Sequence, residues 1–324
     1  LDIDIIDYRR LSAKYLEVTD NGIVKEYDSY NDNLMYEGEY KNKKRNGKGK
    51  EYDRNGYLIF EGEFTNGKKW NGRGKEYNGH ELIFEGEYLN GEKNGIGKEY
   101  KDEKLIYEGE YLNGLRNGKG KEYNGNEVVF DGEFLNGQKW NGKIIEYNKN
   151  DELIFKGQYL NGKRNGKGIE FIEYYDSHEG GENKPIFEGE YLNGKRNGNG
   201  KEYFCDTLVF EGVFLNGKRS GKGKEYNYQG KLIFEGEYIY NQRKNGKAYF
   251  NEHLEFEGDY LFSRKWNGKG YDVNGNLIYE LINGNGRVKE YNNYSKLIYE
   301  GEYLNGKRNG YGKEYDEFTG KLIY

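Results

Sequence analysis

The chain has 324 residues, a net charge of -5, 33% charged and 34% hydrophobic residues, and 50 glycines against one proline. So little apolar content excludes a large globular core at this length, and the modest acidic balance excludes general nucleic-acid binding. A single cysteine, Cys205, excludes an intrachain disulfide framework, and no apolar run approaches the ~18 residues that a membrane-spanning helix needs.

Residues 1–20 differ in pattern from the rest of the chain. Leu1-Asp2-Ile3-Asp4-Ile5 alternates like a strand, and Tyr8–Leu16 reads as a short helix or a decayed repeat. The segment is expected to cap the first hairpin, because terminal repeats need an atypical outer face. Gly22–Tyr27 resembles a lone return strand, so a degenerate copy is expected ahead of Tyr36.

Residues 21–324 are one phrase repeated about 12–13 times. Its opening aromatic recurs at Tyr36, Phe60, Phe84, Tyr107, Phe130, Phe155, Phe187, Phe210, Phe234, Phe256, Tyr279 and Tyr299. The steps are 20–25 residues, with one of 32. A fixed period in the twenties marks a repeat array.

The clearest copy, Leu105–Tyr123, has a strand–turn–strand grammar. In Leu105–Tyr111 large apolar residues alternate with acids, Asn113-Gly114 suits the positive φ angles of a hairpin turn, and Asn117–Tyr123 is the return strand. Counting outward from the turn places Tyr107 opposite Gly120, Gly109 opposite Gly118 and Glu108 opposite Lys119. Glycine inside strands normally weakens them. Its recurrence at Gly62, Gly86, Gly109, Gly118, Gly120 and Gly301 predicts that the rings of Phe60, Phe84, Tyr107 and Tyr299 lie across bare backbone. The expected fold is all-β: an elongated single-layer antiparallel sheet of tandem hairpins, with roughly 26 strands.

Several copies depart from the phrase. Trp70, Trp140 and Trp266 sit at hairpin tips in Lys-Trp-Asn-Gly, with one residue more between second aromatic and glycine than in regular copies. That predicts a bulge or a wider turn, with the indole either capping it or offering an aromatic anchor to a partner. The 32-residue step inserts a loop near 172–185, whose Asp176, His178, Glu179 and Glu182 lack structural metal-site spacing. The copy near 279–291 has lost tip residues and reads as a decayed hairpin. The sequon Asn293-Tyr294-Ser295 reads as chance. The chain opens at Leu1 and stops at Lys321–Tyr324, where earlier copies run on into Glu-Gly, which suggests a piece of a longer protein.

Catalytic chemistry finds no support. His80, His178 and His253 share no repeat position, and no Gly-Lys step is followed by Ser or Thr as a phosphate loop requires. Paired acids such as Glu61 and Glu63 recur too often to mark one site. No cofactor or metal is expected, and the chain is read as a non-enzyme.

Tyr299-Glu300-Gly301-Glu302-Tyr303, Asn305-Gly306-Lys307 and Gly310-Tyr311-Gly312 resemble the MORN (membrane occupation and recognition nexus) repeat position by position. The Lys-Glu-Tyr to Leu-Ile-Phe link also resembles the variant repeats of YwqK-type proteins. The resemblance implies an interaction module, as in junctophilins, plant phosphatidylinositol-phosphate kinases and protist cytoskeletal scaffolds. Three functions are consistent with it. One is a scaffold for a protein partner or for self-association. Another is a peripheral module whose tip cations Lys163-Arg164, Lys195-Arg196, Lys218-Arg219 and Lys307-Arg308 form a basic rail for anionic lipid. The third is a regulatory array of a larger enzyme. A cytoplasmic location, with membrane or cytoskeletal association, is the expectation.

Overall fold

The computed structural model describes residues 14–176, 180–292 and 296–323. Of the cap expected over residues 1–20, residues 1–13 lie outside them. Two compact units divide the chain, Leu1–Ile144 and Ile145–Tyr324. Each is a single antiparallel layer in which strands pair with their neighbours in sequence, and no helix occurs among the described residues.

The described part of the first unit starts with Lys14–Val18 paired to Val24–Asp28, the degenerate hairpin expected ahead of Tyr36. Regular hairpins come next. Lys104–Leu112 turns through Asn113-Gly114, with φ of 50° and 81°, into Leu115–Asn124. Positive φ at both turn residues is what Asn-Gly adopts with least strain.

The hairpin register differs from that obtained by counting outward. Gly109 faces Gly120, Tyr107 faces Glu122 and Glu108 faces Lys121, because the return strand carries an irregularity between Arg116 and Gly120. Gly118, at φ 96°, lies in that irregularity and not opposite Gly109. The side chain of Glu110 folds over it, where a Cβ would collide with the carboxylate.

The tryptophan copies also reverse the expectation of an extra residue. Gly62 faces Gly72, Glu63 faces Asn71 and Phe64 faces Lys69, so Trp70 alone is unmatched. The regular hairpin has three residues, 117–119, opposite Glu110 alone. The tryptophan copies thus hold the smaller bulge. Gln242–Phe250 has the same arrangement with Lys244 in the indole's place, so chain length in the bulge sets this geometry and not the indole.

A second bulge recurs at junctions between repeats within each unit. Glu122 faces Phe130 while Tyr123 faces Val128, leaving Val129 unmatched. This explains why the strand openings read Leu-Ile-Phe as a continuous apolar run instead of alternating.

In the second unit the expected insertion loop is not a loop. Lys163–Asp176 and Gly180–Leu192 pair from Gly166–Tyr191 out to Asp176–Gly180, so the extra residues lengthen a hairpin, and Pro185 lies within its second strand. His178 and Glu179 lie outside the described residues, as does the sequon at 293–295. The short copy keeps its hairpin: Ile282 and Asn285 exchange backbone hydrogen bonds around Asn283-Gly284. After it, Gly286–Tyr291, Leu297–Leu304 and Lys307–Glu314 form a three-stranded sheet of their own.

The core is the row of opening aromatics, which are buried along both units. The ring of Phe155 lies over Gly157 and Gly168, where a Cβ on either glycine would come within 2.5 Å of it. Tyr107 covers Gly109 and Gly120 in the same way. Ring over bare backbone therefore replaces the missing second layer.

Candidate interaction surfaces

One face of each unit carries the rings. They form an unbroken edge-to-face zigzag: Tyr36 meets Phe64 at 5.0 Å, Phe64 meets Phe60 at 5.1 Å, and Phe60 meets Tyr88 at 5.9 Å. In the second unit the zigzag runs from Phe155 through Tyr191 and Phe187 to Tyr260 and Phe256. Edge-to-face pairs add about 0.5–1.5 kcal/mol each beyond area burial.

A cation lies over the opening ring of most repeats. Arg116 stands 4.2 Å from the Tyr107 centroid, Arg164 4.1 Å from Phe155, and Lys93 3.9 Å from Phe84. Each of these cations is held by a glutamate that precedes the aromatic at the end of a return strand, as in Lys-Glu-Tyr. Arg116 bridges Glu99 of the preceding repeat at 2.5 Å and Glu122 of its own at 2.9 Å, and Tyr111 donates its hydroxyl hydrogen to Glu99. Burial alone would raise the pKa of Glu99, but Arg116 and the Tyr111 hydroxyl outweigh it and hold the carboxyl below its usual range. Burial pushes the Tyr107 phenol up to about 12. The sequence signal for this network was present: a glutamate two residues past the second glycine in most copies.

The opposite face is polar. In the second unit it forms a groove of about 1390 Å³ floored by glycine backbone, Gly157 and Gly168 through Gly246 and Gly258. One wall alternates in sign: Glu188 pairs with Lys201, Glu211 with Lys224, and Glu235 with Lys247. The other wall carries Lys167, Glu190, Lys222, Glu237 and Asp259.

The family model for the MORN repeat matches residues 36–56, 60–78, 84–102, 107–127, 155–171, 187–208, 210–231 and 299–317. The chain belongs to the MORN-repeat family. MORN repeats are non-catalytic modules for protein or membrane interaction. No curated protein matches the chain. No helix of the described residues is long and apolar enough to cross a membrane.

One set of expected MORN tip residues is placed differently from the sequence reading. Arg164, Arg196, Arg219 and Arg308 do not form a free basic rail. Arg164 joins Glu146 and Glu170, Arg196 joins Glu170 and Glu202, Arg219 joins Glu202, and Arg308 joins Glu290 and Glu314. Strand alternation carries each arginine onto the ring face, one residue in from the tip. Their neighbours Lys163, Lys195, Lys218 and Lys307 stand exposed at the tips, and of the four arginines Arg308 alone is exposed as well.

The tryptophans pack toward the following turn in two cases. The ring of Trp266 lies against Gly284 and that of Trp70 near Gly91, each beside a turn amide that donates to the tryptophan carbonyl, 2.8 Å in both. Trp140 is half-buried. The same stitch recurs through other tips, where the Gly114, Gly137 and Gly217 amides donate to the carbonyls of Lys93, Arg116 and Arg196.

What sequence reasoning passed over is the apolar content of the tips. The residue before most of these turns is aliphatic and about half exposed, as at Leu192, Leu215, Ile239 and Leu304. Cys205 is exposed in a turn between repeats, and no group of metal-ligating side chains occurs among the described residues.

Proposed function

We propose that the chain is an interaction scaffold whose polar groove in the second unit seats a polypeptide partner. The observation that carries this reading is the glycine floor between two charged walls. The walls hold Lys156, Lys167, Lys201, Lys222, Lys224 and Lys247 against Glu188, Glu190, Glu211, Glu235, Glu237, Glu257 and Asp259. Near-balanced charge argues against a polyanion, while alternating sign provides register for a chain that carries both charges. A floor without side chains admits close backbone approach, which favours an ordered segment over a bulky globular surface.

Photo-crosslinking tests it. A crosslinker at Asn199, in the groove wall, should trap a discrete polypeptide from the native cell extract. Reversing Lys201, Lys224 and Lys247 to Glu should abolish that product while leaving the circular dichroism spectrum unchanged. No product at Asn199, or a product indifferent to the reversal, sinks the reading.

A further inference from the structure

The bulge of a regular hairpin is closed by a side chain of the same hairpin. The glycine at its centre has positive φ, and an oxygen from the opposite strand lies over it. That oxygen is a carboxylate oxygen of Glu39, Glu87, Glu110, Glu190 or Glu302, or the carboxamide oxygen of Gln158. The next backbone amide donates to it, from Ile96 to Glu87 at 3.2 Å, from Asn199 to Glu190 at 3.1 Å and from Tyr311 to Glu302 at 3.2 Å. Amides beside a backbone turned in this way form a small anion-binding concavity, and a charged acceptor makes the stronger bond.

Among the described residues, the regular hairpin at 207–226 alone lacks this oxygen. Val213 stands where the others carry Glu or Gln, and its carbons are 3.4–3.7 Å from where a Cβ on Gly221 would sit. The backbone is unchanged, with φ of 71° at Gly221 and 71° at Gly166 in the Gln158 copy. Valine offers the Lys222 amide no acceptor. Gly221 is exposed, whereas Gly47, Gly95, Gly118, Gly166 and Gly198, whose strands likewise pair with a following hairpin, are half-buried. Lys222 lines the polar groove, as does Asn199, which pairs with Val213. Glu237, which faces Lys222 from the next strand, is engaged by Lys244 and Asn245, at 3.1 Å from each.

We propose that the bulge at Gly221-Lys222 is a seat for one carboxylate, supplied by an acidic side chain of the segment that the groove binds. The other regular hairpins show what fits, since each fills the same concavity with an oxygen of its own. The charge of Lys222 favours an anion at this point. Walls of alternating sign repeat every two strands, about 9.6 Å, so by themselves they admit a slipped segment, and one carboxylate seat fixes the register. The source of the carboxylate rests on the groove reading; the chemistry of the seat does not.

The test titrates N-acetyl-glutamate N-methylamide into the full isotope-labelled chain, with amide NMR as the readout and the glutamine analogue as the neutral control. The acid should shift the Lys222 amide saturably and leave the Asn199 amide, already bonded to Glu190, in place; the neutral analogue should bind about tenfold more weakly. Val213→Gln, which copies the Gln158 hairpin, should abolish the shift at an unchanged thermal midpoint. Glu190→Val should create a second responding amide at Asn199. No saturable shift at Lys222, an equal shift in Val213→Gln, or no response at Asn199 in Glu190→Val overturns the seat. Crosslinking at Asn199 reads the source, and Val213→Gln should cut its yield about tenfold. A full yield in that variant beside a positive probe titration overturns the groove segment as the source and leaves a free carboxylate. If the native chain gives no crosslink while the probe still shifts Lys222, the groove reading fails, and with it the segment as source, while the seat stands.

Discussion

The regular hairpins and the single-bulge hairpins solve the same electrostatic problem with different completeness. In the regular hairpin at 104–124, a long bulge lets Glu122 come opposite Tyr107, so Arg116 is clasped from both sides. In the hairpin at 58–78 the shorter bulge puts Gly74 opposite Phe60, and Lys69 keeps only Glu51 of the preceding repeat, at 3.0 Å. The hairpin at 253–271 goes further: Ala248 and Gly270 occupy both places where regular copies carry the glutamate. There Glu255, at the junction bulge that Ile or Val fills in most copies, reaches Lys265 at 2.5 Å. The lesson is that the array tolerates losing a carboxylate but not leaving its largely buried cation alone.

Variants can break or sharpen that contrast. The largest effect is expected where the two classes agree, at the glycine pair. In Gly109→Ala the new Cβ would sit 2.5 Å from both the Gly120 Cα and the Tyr107 hydroxyl, and neither backbone can yield. A loss of about 3–5 kcal/mol is expected by urea unfolding, with hydrogen exchange rising in the flanking repeats. A wild-type midpoint in this variant would remove ring-on-backbone packing as the stabilising principle.

The clasped cation ranks second. Arg116→Ala should cost about 2–4 kcal/mol, because it strands two partly buried carboxylates and uncovers a ring, whereas Lys69→Ala should cost about 1 kcal/mol. Equal costs would erase the distinction between the hairpin classes.

Glu255→Ile should destabilise by about 2 kcal/mol, and Ala248→Glu in the same chain should recover most of it by restoring the regular carboxylate and giving the buried Tyr260 hydroxyl an acceptor. A thermal-melt double-mutant cycle reads this directly, and additive losses would count against compensation.

The smallest effect concerns pH. The Glu99 and Glu290 carboxyls are held below their usual range in the fold, each by its arginine and a tyrosine hydroxyl against the effect of burial. Their contribution is present above the unfolded-state pKa near ~4.3 and is lost as pH falls through the lower folded value. At the other end, burial raises Tyr36 and Tyr107 to about 12, so the folded state holds those protons longer than the unfolded chain. Stability should therefore decline from pH ~10 upward. Melts across pH in Arg116→Ala should show a shallower acid slope than in the native chain.

How much of the molecule was readable from its sequence depends on the kind of residue. Asn113-Gly114 announces its turn locally, because few dipeptides accept two positive φ angles. Phe60, Gly62, Tyr107 and Gly109 announce a ring-covered sheet by recurrence. The register was not readable, since the bulge at 117–119 leaves no mark distinct from ordinary strand glycines. Arg164 and Arg308 looked like tip cations because they neighbour Lys163 and Lys307; only the pleat shows that adjacent residues point to opposite faces.

The sequence by itself determined the period, the hairpin and the pairing of rings with glycines, all properties of local spacing. Which cation meets which carboxylate, which glycines form the groove floor, and which side chains the tips present were decided by tertiary structure. The reason is physical: one unmatched residue in a bulge shifts every pairing beyond it, and contacts between repeats depend on that sum instead of on any single copy.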